Sequence, residues 1–301
     1  MRRSTVLVGT TLALLCAAGC SNDSAVTSAR PSAGATVTAS VSAAPASATT
    51  APSATAASAT AGAATGTPTP AADHARAVRA AAEATGRTSA RVDQNVELTD
   101  GETTYHLTVA GDFDLAADRG QLGVDLPGGG ISHVDEIFAD GQVYVRGSAG
   151  LPKGTWGAID RERTVAHALL RAPVNDPEHF LQQIATLTRV TRGAEEDVNG
   201  VRAARYSGFL SDEAVTLRLT PEVRGKTEQF RAVSGTGVQI PAEVWVDAEG
   251  RVVKVRLVLD MNPVRSVTTV SFTQLGKPVK VSAPAAGITA AVTELTGVLT
   301  G

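Results

Sequence analysis

Apolar and polar residues alternate with a period of two along most of the chain after residue 88, which is the pattern of β-strands that have one dry face. In residues 89–99, most of the apolar side chains fall on one face and polar side chains on the other. The apolar members are Ala90, Val92, Val96 and Leu98, and the polar members are Arg91, Asp93, Asn95 and Glu97. Asp100-Gly101 follows as a hairpin turn. The pattern predicts that this strand belongs to an antiparallel meander.

Further strands are predicted wherever the same alternation recurs between glycine-containing turns. Before the centre of the chain they cover residues 105–115, 122–126, 131–138 and 142–147, and after it residues 201–210, 242–247, 251–260 and 266–276.

Helical spacing appears in three other segments. An alanine-rich run, residues 71–85, stops at Gly86, and residues 161–171 and 177–187 carry apolar side chains at intervals of three and four. Asp176 is predicted to cap the last of these helices, with Pro177 at its first position. Residues 212–233 are ambiguous, and a partly helical crossover is expected there. The fold class predicted is α+β, with helices packed on one face of a large, curved antiparallel sheet.

The N-terminus has the order of a bacterial secretion signal. Arg2 and Arg3 precede an uncharged apolar run, residues 4–15, and small residues lead to Cys20. The run is too short to span a bilayer. The order resembles the lipobox, in which the cysteine is acylated after the signal peptide, residues 1–19, has been removed. The alternative is an ordinary secretory signal with a chance cysteine. Cys16 and Cys20 are the chain's two cysteines, so the processed chain would keep one, at its first position.

Composition then divides the remaining chain. Residues 20–70 are almost entirely Ala, Ser, Thr, Pro and Gly, which favours a disordered tether. Residues 71–284 suffice for one folded domain, and residues 285–301 are expected to be a C-terminal tail. Without Arg2 and Arg3 the chain has 25 basic and 30 acidic residues, which argues against nucleic acid as a partner. The expected location is the extracytoplasmic face of the cell membrane, with a lipid anchor.

Several landmarks together resemble the LppX/LprAFG family of mycobacterial and actinobacterial lipoproteins, whose fold is similar to the LolA/LolB carriers. Besides Cys20, they are residues 141–145, the pair Leu151-Pro152 with Trp156, residues 200–208, the hairpin 244–253 and residues 276–284. The resemblance implies a half-barrel sheet with helices across its concave face, enclosing a cavity for acylated lipids or glycolipids. The candidate cavity residues are Leu107, Val109, Phe113, Leu122, Val124, Val143, Val145, Phe180, Leu181 and Ile184.

Two interpretations of these apolar residues stay open. Aromatic residues make up 4% of the chain, so a wide face of small aliphatic side chains is expected to leave space that lipid tails would complete. The alternative is an ordinary packed core, in which case the protein would be an interaction or sensor lipoprotein without lipid cargo. A monomer is expected in either case.

Signatures of catalysis are not found in the sequence. The histidines, at 74, 106, 133, 167 and 179, lack metal-ligand spacing, and no nucleophile elbow or phosphate-binding loop occurs. His167 and His179 are expected to face solvent or to cap helices. The sequence therefore favours a binding protein without cofactor or metal over an enzyme, with a hydrolase of unusual site as a minor alternative.

Overall fold

The computed structural model describes residues 71–148 and 150–293, and within them it confirms the α+β fold class. The predicted signal peptide, Cys20 and tether lie outside the described residues, as does the chain from 294 onwards. The helices are α1 (Ala71–Gly86), α2 (Pro177–Ile184), α3 (Asp212–Val215) and α4 (Pro221–Ser234). The strands are β1 (Ser89–Asp100), β2 (Thr103–Asp114), β3 (Arg119–Asp125), β4 (His133–Ala139), β5 (Gln142–Arg146), β6 (Trp156–Asp160), β7 (Thr188–Val198), β8 (Val201–Phe209), β9 (Pro241–Asp247), β10 (Val252–Met261), β11 (Val264–Thr273) and β12 (Thr289–Ala291).

All twelve strands form one open sheet built from two meanders. Its order is β12-β6-β5-β4-β3-β2-β1-β11-β10-β9-β8-β7. The chain runs outwards from β1 to β6, passes to the opposite edge through residues 161–187, and returns from β7 to β11. The two meanders join where β1 pairs antiparallel with β11. β12, from the segment expected to be a tail, pairs parallel with β6, so the sheet extends beyond residue 284.

The predicted alternation is realised in the burial of β1. Val92, Gln94 and Val96 are buried on the inner, helix-covered face, whereas Asp93 and Asn95 are exposed on the outer face. The strand's partners are fixed in register, with Gln94 opposite Val109 of β2 on one side and Val270 of β11 on the other. The register brings the apolar residues of all central strands to the same face.

Helices α1 and α2 cover the inner face. α1 contacts α2, β7, β9 and β10, and Thr85 anchors it because its hydroxyl accepts a hydrogen bond of 2.8 Å from the Val252 backbone N–H. α2 places Phe180, Leu181 and Ile184 in the main apolar cluster of the sheet. The predicted cap is confirmed, since the Asp176 carboxylate accepts from the Glu178 N–H at 3.0 Å and Pro177 begins the helix. None of the described helices is long and apolar enough to cross a bilayer.

The helix predicted over residues 161–171 is wrong. A single 3-10 turn, Arg161–Arg163, is followed by an extended Thr164 and later by Leu170 in the left-handed region at φ 61°. The backbone instead bonds a distant segment: the Ala166 N–H donates to the Arg218 carbonyl at 2.8 Å, and its carbonyl accepts from Thr220 at 3.0 Å. Tertiary hydrogen bonds have therefore replaced the helical ones in this segment, which is called the crossing loop (residues 164–176) below.

The ambiguous segment, residues 212–233, is partly helical as expected. Helix α4 begins after Thr220, whose hydroxyl accepts from the Val223 N–H at 3.3 Å, and ends at the left-handed Gly235. α4 buries none of its side chains, and Phe230 and Val233 are 43% and 90% exposed. This helix therefore contributes little to the core.

Candidate functional site

An apolar pocket of about 530 Å³ opens where the β1–β2 and β10–β11 hairpins end. Its sheet wall consists of Val96, Leu98, Leu107, Leu259 and Ser266. Three of these side chains are apolar and nearly buried, whereas Leu98 is 37% exposed at the entrance. A volume of this size lies within the range of small-molecule sites. It is called the strand-end pocket below.

The crossing loop forms the opposite wall of the strand-end pocket. Ala168 and Leu169 face the hairpin ends together with Leu126, which follows β3. Arg171 also lines the pocket, so one cationic side chain stands on a wall that is otherwise apolar. The rim is completed by Tyr105, which is 53% exposed, by His106 and by Val264.

Behind Arg171 lies a buried polar chain that links the loop to the sheet. The Arg171 guanidinium donates to Asn175 Oδ1 at 3.2 Å, and Asn175 Nδ2 donates to Glu136 Oε1 at 2.8 Å. Glu136 is 0% exposed on the inner face of β4, between Val134 and Phe138. Its second oxygen has no hydrogen-bond partner among the described residues.

Burial raises the pKa of Glu136 to about 8, although the hydrogen bond from Asn175 and the charge of Arg171 both lower it. Near neutral pH this side chain is therefore held mainly as the neutral acid. Burial also lowers the pKa of Arg171, and the neighbouring Glu136 opposes that shift. A guanidinium still remains protonated in proteins.

The shape of the crossing loop is fixed by a second buried cluster around Asp176, which is 1% exposed. Its carboxylate accepts from Arg161 at 2.7 Å and from Arg218 at 3.0 Å. Arg218 also donates to the Arg161 carbonyl at 2.7 Å. Two left-handed residues, Val174 at φ 46° and Asn175 at φ 53°, precede this anchor. Conformations of this kind persist only where the surroundings determine them, and here the ion pairs do so.

Three polar residues interrupt the aliphatic inner face next to the pocket. Ser266 lies on the pocket wall, Thr268 is the next inward-facing residue of β11, and Gln94 lies diagonally from Thr268 on β1. Gln94 is 4% and Thr268 0% exposed. Both polar atoms of the Gln94 amide and the Thr268 hydroxyl have no hydrogen-bond partner among the described residues. Each such group costs about 1–3 kcal/mol when it is left unpaired.

The structure separates the ten cavity candidates. Leu107 lines the strand-end pocket, whereas the other nine lie in the main apolar cluster and are at most 4% exposed. Those nine are Val109, Phe113, Leu122, Val124, Val143, Val145, Phe180, Leu181 and Ile184. Phe113, for example, packs edge to face on Phe138 with a centroid distance of 5.1 Å. Their role as ligand-binding residues stays a prediction, and the pocket lies at the end of this packed region.

The histidine expectations are corrected in one case. His167 is exposed, but His179 is 1% exposed against Phe180, with its Nδ1 lacking a hydrogen-bond partner among the described residues. Burial lowers the pKa of His179 to about 4, so it is neutral at pH 7. Within residues 71–148 and 150–293, no three His, Cys, Asp or Glu side chains are grouped so that they could hold a metal ion.

The polar residues near the pocket carried a signal that periodicity alone could have shown. Gln94 lies between Val92 and Val96, and Glu136 between Val134 and Phe138, so strict alternation places both on the dry face. Thr268 stands in the same relation to Val270 and Ser266. Arg171 carried no such signal because the segment around it resembles a helix.

Comparisons with known proteins give likenesses of fold. No family model matches the chain, and no curated protein matches it. Among solved structures, LprF from Mycobacterium bovis has 14% identity and a TM-score of 0.44, and the match covers 73% of this chain and 100% of LprF. The lipoprotein LppX from Mycobacterium tuberculosis has 14% identity and a TM-score of 0.44, with 70% of this chain and 99% of LppX covered.

A third likeness is to a putative outer membrane lipoprotein-sorting protein domain from Vibrio parahaemolyticus, with 12% identity and a TM-score of 0.28 over 68% of this chain and 92% of that one. LppX and LprF are the proteins after which the family named in the sequence analysis is called. At these identities and scores, the function of this chain has to be inferred from its own geometry.

Proposed function

We propose that this protein is a membrane-anchored, extracytoplasmic lipoprotein whose folded domain binds acylated lipid or glycolipid in the strand-end pocket. The observation that carries the proposal is the pocket itself: about 530 Å³ with almost wholly apolar walls and an open entrance. Burial of methylenes contributes about 0.8 kcal/mol each, so eight methylenes of an acyl chain would contribute about 6 kcal/mol. In this proposal Cys20 carries the anchor, residues 20–70 form the tether and the domain begins at residue 71.

Exposed apolar residues at the entrance support a lipid as the ligand. Leu98 and Tyr105 line the pocket and remain 37% and 53% exposed, and Met261, at the end of β10, is 38% exposed. An aliphatic chain that entered between the β1–β2 and β10–β11 hairpins would cover Leu98 and Tyr105. The proposal has two forms. In the coarser form the protein holds its lipid, and in the finer form it also carries the lipid between membranes.

The test uses the full chain with Cys20→Ser, so that no covalently attached acyl group competes for the pocket. The protein is purified without detergent, extracted with organic solvent and titrated with a fluorescent acyl probe. We expect a stoichiometric lipid in the extract and saturable probe binding. Ala168→Trp, which places an indole on the pocket wall, should abolish binding, whereas the matched Ala248→Trp, in the exposed β9–β10 turn, should not. Lipid-free protein that also ignores the probe would refute the proposal.

The alternative is a protein-interaction or sensor lipoprotein without lipid cargo, and helix α4 is the observation that favours it. This helix buries no side chain, and it exposes Phe230 and Val233 on its last two turns. Isolated exposed apolar residues are common, but a fourteen-residue helix that buries no side chain offers a surface for a partner. A lipid-free chain whose binding to an envelope protein is lost in the double variant Phe230→Ser, Val233→Ser would support this alternative.

A further inference from the structure

The segment after β11 crosses the outer face of the first meander and is called the C-terminal strap (residues 276–288) below. It leads to β12, which pairs with β6 through only three residues, Thr289–Ala291. On the way, Val281 and Ala283 pack on a small apolar cluster of the outer face that contains Trp156. The indole is 5% exposed beneath this cover. The strap therefore shields both the edge of β6 and its tryptophan.

A line of charged side chains on the outer face leads to that tryptophan. His133 of β4 has a carboxylate at each ring nitrogen: Nδ1 is 2.6 Å from Asp125 Oδ1 on β3, and Nε2 is 3.3 Å from Asp135 Oδ1. The Arg146 guanidinium donates to Asp135 Oδ2 at 2.8 and 3.0 Å. The same guanidinium lies 4.5 Å from the ring centroid of Trp156. Every link is a direct contact, so the imidazole is joined to the residue that the strap covers.

The position of the two carboxylates favours the protonated form of His133. A neutral imidazole has one N–H, so it can donate to only one carboxylate, and its other nitrogen turns a lone pair towards the second. The protonated ring donates to both. The hydrogen bond to Asp125 is the largest of the effects that raise the pKa of His133 above its ordinary value of 6.5, and the hydrogen bond to Asp135 adds to it, while burial opposes both.

The other charges on this side of the sheet leave that arrangement in place. Arg146 is directed to the second oxygen of Asp135, away from the imidazole. The loop from β3 to β4, residues 126–132, has no charged side chain. The cleft between the strap and the sheet beside Asp135 is lined by three further charged residues, which are Lys280 of the strap, Asp112 of β2 and Arg91 of β1.

From these contacts we infer that His133 is a pH-sensitive latch for the C-terminal strap. The doubly protonated ring holds Asp135, which in turn positions Arg146 against Trp156, where the strap closes. When the ring loses one proton, one of its two hydrogen bonds is lost and the strap opens more often. Because the pKa of the ring is raised, the latch is complete below pH 6.5 and is lost as pH rises through the higher value. Opening frees the edge of β6, and this device does not depend on lipid binding.

The exposure of Trp156 reports the state of the strap. The full chain carries Cys20→Ser and also Trp245→Phe, so that Trp156 is its only tryptophan. Quenching of the tryptophan fluorescence by acrylamide, which is uncharged, is measured from pH 6 to pH 9. We expect the quenching constant to rise about two- to fivefold with pH, the range that one partly exposed ion pair can supply. The midpoint of the rise should coincide with the pKa of His133, measured in the same chain by NMR of its ring nitrogens.

Variants of this chain assign the rise to the latch. His133→Gln cannot be protonated, so its quenching constant should stay at the high, alkaline level at every pH. His106→Gln, which changes an exposed histidine on β2, is the matched control and should keep the rise. Asp125→Asn removes a charge that favours the protonated ring, so the midpoint should move to lower pH. Arg146→Met cuts the link to Trp156, so His133 should still titrate while the quenching constant no longer follows it.

Hydrogen exchange separates opening of the strap from a change in the surroundings of the indole alone. The Val292 N–H, just after β12, donates to the Ala158 carbonyl at 2.9 Å, so its protection should fall in parallel with the rise in quenching, after correction for the intrinsic pH dependence of exchange. Unchanged protection overturns the inference, as does a quenching constant that is the same at pH 6 and pH 9. A rise that survives in His133→Gln or in Arg146→Met overturns it too, because another group or another route then loosens the strap.

Discussion

Replacing Glu136 by glutamine isolates the free energy that this buried carboxyl contributes to stability. The folded protein holds its proton up to about pH 8, whereas the unfolded chain releases it near 4.5. Between these values the folded state binds one more proton, so the free energy of unfolding falls as pH rises and the loss is complete above pH 8. Glutamine resembles the neutral acid in shape, and its carbonyl can still accept from Asn175.

The size of the effect follows from the width of that window. One proton over each pH unit corresponds to 1.36 kcal/mol, so the stability of Glu136→Gln relative to the wild type should rise by about 4 kcal/mol between pH 5 and pH 8. At pH 5 the two proteins should be nearly equal. Other titrating groups, including His179, occur in both proteins and cancel in the difference.

The assay is urea unfolding at pH 5, 6, 7 and 8, followed by the fluorescence of Trp156 and Trp245. Glu97→Gln, at an exposed position on the outer face of β1, is the matched control for the same chemical change in solvent. A difference between Glu136→Gln and the wild type that stays within about 0.5 kcal/mol across this range would refute the reasoning, since it would mean that Glu136 is ionised in the folded protein.

Three other changes test the core and the anchor of the crossing loop. Asp176→Ala leaves two arginines without their buried partner and should lower the free energy of unfolding by about 3–5 kcal/mol in urea; a loss under 1 kcal/mol would mean that the ion pairs do not fix the loop. The stability of His179→Leu relative to the wild type should rise by about 3 kcal/mol as pH falls from 6.5 to 4, because only the wild type has a buried His179 that the unfolded chain protonates first; a difference that does not change with pH would contradict the burial argument. Gly111→Ala would place its Cβ against the Gln121 carbonyl on β3 and should lower the free energy of unfolding by at least about 2 kcal/mol. Gly225→Ala on the exposed α4 should raise that free energy by up to about 1 kcal/mol. Equal thermal midpoints of the two variants would argue against the tight approach of β2 and β3.

Periodicity predicted β1 to β5 and β8 to β11 because the inner face of each is nearly uniform, whereas β6, β7 and β12 were not predicted. Alternation from Ala90 to Leu98 placed β1 correctly, and the Asp176-Pro177 pair marked the start of α2. Periodicity failed over residues 161–171. Val165, Leu169 and Leu170 do have helical spacing, but the backbone of this segment forms hydrogen bonds with the distant Arg218 and Thr220. No local pattern records such partners.

The candidate site, too, could be predicted from the sequence only in part. Leu107 was expected at the cavity because it lies on the dry face, and the same rule places Gln94 and Thr268 on that face, although neither lines the pocket. That they lack partners depends on the identity of their neighbours across β1 and β11, which sequence spacing does not give. Arg171 reaches the pocket through a loop with left-handed residues, whose conformation depends on the buried Asp176 cluster.

The pairing of β1 with β11 also determines when the sheet can be completed during folding. β1 is a twelve-residue strand, and one of its two neighbours begins only at Val264, more than 160 residues later. A chain that emerges from a translocation pore with its N-terminus first would present the free edge of β1 throughout that interval. Such contacts between distant parts of a chain are slow to form, and unpaired edges are sites of aggregation. In the proposed extracytoplasmic lipoprotein, export would therefore leave the first meander incomplete for a long time, and a chaperone that covers a strand edge would act at β1.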